Sequence, residues 1–140
     1  MKIPELVEPQ SGWTPTAVRA EFEANRVHGL VRWEAPEESV VAAAQEAGRT
    51  CVVVDSSSDP TKTGLLKAAK RALRLPSYMG SNWDAFEECL GDVDPGAGLV
   101  VLWDGWTPMA RSNPDAFATA TAIWSSVASQ WGQSSAVVLG

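Results

Sequence analysis

Asp84, Glu87 and Glu88 are the residues of this chain best spaced to do chemistry together. In a helix they stand at i, i+3 and i+4 and share one face, while Phe86, Cys89 and Leu90 fall on the other. Asp84 and Glu88 could serve as a general acid and base, yet both lie on one helical face, with no second wall apparent. Together with Asp92 and Asp94 they could hold a hard cation, but the oxygen-ligand spacing and turn glycine of a calcium loop are missing. The remaining chemistry is recognition, because carboxylates gathered on one face attract a basic partner. Tyr78 and Trp83 flank the acids as two exposed aromatics, and such side chains are typical interface anchors. No nucleophile elbow or phosphate loop accompanies them. With His28 as the only histidine, no Cys/His zinc set can form. The reading is therefore a binding surface with no catalytic residues, no metal and no cofactor.

The charge distribution points the same way. The 140 residues carry 17 acidic and 11 basic side chains, a net of −6. Between Leu75 and Ala110 there is no Lys or Arg, but there are Asp84, Glu87, Glu88, Asp92, Asp94 and Asp104. Those six carboxylates equal the whole excess, so one segment is expected to carry the protein's field. Such a patch repels a phosphate backbone, which disfavours nucleic acid as a partner. No apolar run reaches the length of a signal peptide or a membrane span, so the chain reads as a soluble cytoplasmic protein. In that compartment Cys51 and Cys89 are expected as free thiols.

The elements that position these groups follow from periodicity. Met1 to Gly12 is broken by proline and glycine and reads as poorly ordered. Thr14-Pro15 starts a short helix with Val18 and Phe22 on one face. His28 to Trp33 reads as a strand. A small-residue helix with Val40, Val41, Ala43, Ala44 and Ala47 stops at Gly48. Cys51 to Val54 is a β-branched run of the kind buried on both faces of a parallel sheet. Thr63 is expected to cap a helix bearing Leu65, Leu66, Ala69 and Leu73. Its basic side, Lys67, Lys70, Arg71 and Arg74, reads as a solvated face with cations near the C-terminus. Tyr78-Met79-Gly80 is a turn, and Ser81 or Asn82 caps the acidic helix from about Trp83 to Leu90. Leu99 to Leu102 is a further strand. A long helix from Asn113-Pro114 carries a core stripe of Phe117, Ala120, Trp124, Val127 and Trp131, and Ala136 to Leu139 is a last strand. Strands separated by helices predict an α/β fold with a small three- to four-stranded parallel sheet packed with helices.

The stretch from Leu75 to Leu90 also resembles a known family. Leu75-Pro76, Tyr78, Gly80, Asn82, Asp84-Ala85 and Cys89-Leu90 are similar to the loop-and-helix signature of the barstar family, intracellular inhibitors of small guanyl-specific ribonucleases of the barnase type. The likeness runs from about Thr50 to the end and includes Trp103 after the middle strand and Trp106 three residues on. It implies a barstar-like domain over 49–140, with 1–48 an N-terminal extension packed on it as one structural unit. It also implies a function: the partner, a small secreted ribonuclease, holds RNA phosphate in a basic site, and the inhibitor fills that site one to one with a carboxylate. By motif position Glu88 takes the place of the family's central aspartate and Asp84 that of its second acid. Tyr78, Gly80, Asn82 and Trp83 take the places of the loop contacts. Three departures stand out. The central acid is Glu rather than Asp, Glu87 replaces a tryptophan, and Val127 to Trp131 contains no match to a further acid. A cognate other than barnase is therefore expected. The alternative is a module of the same fold that regulates, or gives immunity to, a different basic protein.

Overall fold

Four short runs of β-branched and aliphatic residues pair as parallel strands: β1 (Gly29–Arg32), β2 (Thr50–Asp55), β3 (Leu99–Asp104) and β4 (Ala136–Leu139). The sheet order is β1-β4-β3-β2, in a computed structural model that describes residues 2–140. The connecting segments supply α1 (Pro15–Glu23), α2 (Glu37–Glu46), α3 (Lys62–Leu73), α4 (Trp83–Gly91), α5 (Trp106–Ser112) and α6 (Pro114–Trp131). The expected α/β architecture with a parallel sheet is what the chain adopts. Among the described residues no helix is long and apolar enough to cross a membrane.

Alternation along the strands separates two cores. Leu99, Val101 and Trp103 of β3 enter the core under α3 to α6, together with Val54, Val137 and Leu139. Val100 and Leu102, with Ala136 and Val138, face α1 and α2 instead. Because both faces are covered, β4 and the first five residues of β3 are apolar without interruption. The expected stripe of α6 is core: Trp124 packs edge-on to Phe86 at 5.5 Å and lies 6.5 Å from Trp103. Trp103 and Trp131 hide their indole N–H groups in hydrogen bonds to Ser56 Oγ at 2.9 Å and the Leu90 carbonyl at 3.1 Å. The second of these ties the end of α6 to α4. On the other face Trp33 packs against Trp13 and Phe22. The alanines of α2 bring that helix close to the sheet.

Three local expectations are corrected. Residues 4–6 are held rather than loose: Leu6 N–H donates to the Arg32 carbonyl at 2.9 Å, and Arg32 N–H donates to the Pro4 carbonyl at 2.8 Å. These residues extend the sheet beyond β1, where prolines do no harm because only alternate backbone groups must pair. The cap of α3 is Thr61, not Thr63. Its hydroxyl accepts from Gly64 N–H at 3.1 Å and donates to Asp59 at 2.7 Å, which starts the helix at Lys62. Finally, Trp106 to Ser112 forms the unforeseen helix α5. Gly105, at φ +80°, swings the chain into it against the Ser57 backbone.

Candidate functional site

The acidic helix and the loop before it form one exposed corner. Arg74, in the left-handed region at φ 53°, ends α3. Leu75 is buried, and a single 3-10 turn (Ser77–Met79) then sends neighbouring side chains opposite ways. Met79 is 2% exposed and anchors the loop; Tyr78 is 81% exposed and stands free. Gly80 has φ 64° and ψ −154°, a region that only glycine adopts without strain of order 1–3 kcal/mol. A Cβ there would meet nothing within 4 Å, so backbone angle rather than crowding demands glycine. The space above it is open to a partner's backbone.

Asn82 is the cap of α4, with Oδ1 accepting from Asp84 N–H at 2.8 Å and Ala85 N–H at 3.3 Å. The helix buries Phe86, Cys89 and Leu90, and turns Asp84 and Glu88 fully outward with Glu87 half-buried beside them. The expected segregation of faces is thus present. Trp83 departs from expectation. It is half-buried against Phe86 at 6.1 Å, with the Lys62 ammonium 5.1 Å from its ring centroid, so only Tyr78 of the two aromatics is fully exposed.

Asp84, Glu87 and Glu88 line an open hollow of about 630 Å³ with Gly91, Asp92 and Gln130. Asp92 and Gln130 were not among the sequence-derived site residues. Gln130 comes from α6, and its amide lies so near Gly91 that a Cβ there would sit 3.2 Å from Oε1. The one cue to it was a long polar side chain on the outer face of α6, near the stretch that lacks the expected acid. None of Asp84, Glu87, Glu88 and Asp92 has an ion-pair partner among the described residues. Asp84 lies in the first turn, where the helix dipole favours it, but Glu87 stands midway and Glu88 in the last turn, where it does not. The dipole therefore gives no reason for an acid at Glu88 in the free protein. Burial, then Asp92 and Glu88, push the Cys89 thiol up, and burial with Glu37 pushes Cys51 up to about 11. Both thiols are free and poor nucleophiles.

The acidic segment does not act as one block. Asp94 turns into its own loop, accepting from Gly96 N–H at 2.9 Å. Asp104 ends β3 and belongs to a different cluster, with Glu37 and Asp55. Burial, a shared proton with Glu37 and repulsion from Asp55 push its carboxyl up to about 7. A carboxyl protonated by the fold contributes stability that is full below its unfolded value near 4 and is lost as pH rises through about 7. Asp104→Asn should therefore raise the thermal midpoint at pH 8 by a few degrees, on the order of 1 kcal/mol after solvent screening, and change it little at pH 5. Equal shifts at both pH values in a calorimetric scan would place the effect in packing instead.

The model of one protein family, described as Barstar (barnase inhibitor), matches residues 49–139. No curated protein matches the chain. The matched stretch contains the whole loop, α4 and Gln130, and leaves α1, β1 and α2 outside it.

Proposed function

The chain belongs to the barstar family of barnase inhibitors, and on that premise we propose that it is itself an inhibitor and not an enzyme. Its target is a small secreted guanyl-specific ribonuclease, bound one to one in the cytoplasm before export. The observation that carries this reading is the group of unpartnered carboxylates, Asp84, Glu87 and Glu88 on α4 with Asp92 at its C-cap, set beside the bare backbone of Gly80 and the free ring of Tyr78. Glu88 enters the phosphate site, Asp84 and Glu87 meet its cationic walls, and Tyr78, Gly80 and Trp83 pack on the rim. Asn82 acts indirectly, by holding the first turn of α4 in place. The extension, residues 1–48, serves the fold and makes no contact with the ribonuclease.

A second reading keeps the fold and changes the partner. Glu88, Glu87 and the neutral Gln130 replace groups expected of a barnase inhibitor, which favours a somewhat different basic protein. One titration separates the two. Increasing amounts of the chain should abolish the activity of at least one enzyme in a panel of small guanyl-specific ribonucleases, barnase included. The end point should fall at equimolar ratio, and 3′-GMP should compete. If no enzyme of the panel is inhibited, the ribonuclease reading fails; inhibition indifferent to saturating 3′-GMP places binding outside the phosphate site.

A further inference from the structure

Immediately before the acidic block the chain carries the opposite charge. Between Pro60 and Trp83 there are five cations, Lys62, Lys67, Lys70, Arg71 and Arg74, and no acid. Lys67, Lys70 and Arg71 stand at i, i+3 and i+4 and form a stripe along α3, with Arg74 just past its end in the left-handed region. The helix dipole rationalises Lys70 and Arg71 in the last turn, but not Lys67 in the middle. Arg19, Arg26 and Arg32 each have a carboxylate partner, whereas none of the five cations here is ion-paired among the described residues. Lys67, Lys70 and Arg71 surround Leu75 in an open hollow of about 370 Å³.

The cations of α3 touch the candidate site at two points, one from the stripe and one from Lys62 at the start of the helix. Lys70 Nζ donates to the Ser77 carbonyl at 3.2 Å, behind Tyr78, and Lys62 covers Trp83. A stable interface takes about 800 Å² from each side, roughly 20–30 residues. The nine residues of α4 and the loop before it, several of them buried, cannot supply that area. A partner seated on Tyr78 and Asp84 must extend over its neighbours, and on the loop side those are the cations of α3. A uniformly basic surface laid across both would meet like charge.

We propose that the α3 stripe is a second docking element of the same complex, fitting an acidic rim beside the partner's basic cleft. The inference rests on the inhibitory function proposed above. It adds orientation: an acidic face and a basic face, joined by one loop, admit a bipolar partner in a single pose.

The test uses the full chain and the ribonuclease of the panel that it inhibits most strongly. A zero-length carbodiimide, which joins amines to carboxylates in salt-bridge contact, should couple Lys67 or Lys70 to an Asp or Glu of the enzyme. Lys67→Glu with Arg71→Glu moves the net charge from −6 to −10, since each reversal removes one positive charge and adds one negative. If net charge alone steers association, the rate rises. If the stripe meets acids, it falls, by about tenfold at low salt. Wild-type or faster association of a variant folded by circular dichroism, with no cross-link at either lysine, overturns the second element and leaves the acidic site standing. Tight binding of single-stranded RNA by the free chain, lost in the double variant, assigns the stripe to nucleic acid and overturns it likewise. Failure of the wild type to inhibit any enzyme removes the proposed function and this inference with it.

Discussion

Glu88→Ala should cause the largest loss of ribonuclease binding of any single substitution, on the order of several kcal/mol, a magnitude carried over from the family's own barnase–barstar pair. Glu88 sits among the other acids of the hollow and has no partner in the free protein. Its removal would leave the cations of a phosphate site buried without compensation. The loss should appear mainly as faster dissociation, because close contacts govern that rate. The same substitution should not harm the free protein. It relieves a like-charge pair with Asp84 at i, i+4 and removes an acid from the unfavourable end of α4, each worth a few tenths of a kcal/mol. A variant that unfolds no earlier, yet binds far more weakly, is the signature of a carboxylate present for the partner. Asp84→Ala and Tyr78→Ala should follow in rank, and Asp104→Ala should matter little to binding. A flat alanine scan by isothermal titration would mean that another face binds.

Removing residues 1–48 should have the largest effect on the fold. The deletion strips β1 from the open side of β4 and uncovers Val100, Leu102 and Val138, which α1 and α2 now bury. Each such side chain is worth about 1.5–3 kcal/mol when buried, and three together approach the ~5–15 kcal/mol by which a whole domain is stable. Arg49 would also lose the Val27 carbonyl it holds at 2.7 Å and the Phe22 ring beneath its guanidinium. The shortened chain should be unfolded or aggregated by circular dichroism and size-exclusion chromatography, although it retains every residue of the acidic corner. A folded fragment that inhibits normally would show that the second core is dispensable.

Periodicity made most of this fold readable, and it did so where one face of an element had to be buried. The strands, the stripe of α6 and the split between Phe86-Cys89-Leu90 and Asp84-Glu87-Glu88 all follow from such alternation. It was blind where packing between distant segments decides. Gly105 and Pro108 look like breakers, yet glycine at positive φ admits the chain to α5 and proline is tolerated in a first turn. Gln130 joined the site only because α6 crosses α4 at Gly91, whereas Asp92, four residues after Glu88 at the C-cap of α4, was within reach of the same helical spacing. Asp104 left the acidic field because Glu37, from the N-terminal part of the chain, meets it at the end of β3. Linear charge counting assigned to one patch what the sheet distributes to two.

The place of β4 in the sheet bears on how the protein is made. It follows every other element in the chain yet lies between β1 and β3, so that Gly29 finds Ala136 as its neighbour. Until the ribosome has released the residues of β4, β1 has no strand between it and β3, and both cores lack one of their two central strands. Helices α1 to α6 can form locally as they emerge, but the sheet closes in one late step over a long stretch of chain, the kind of non-local closure that slows folding. A nascent chain paused before Ala136 would then display α4 on an unfinished scaffold. If the chain inhibits a ribonuclease as proposed, inhibition would begin when synthesis reaches β4, not when the acidic helix is made.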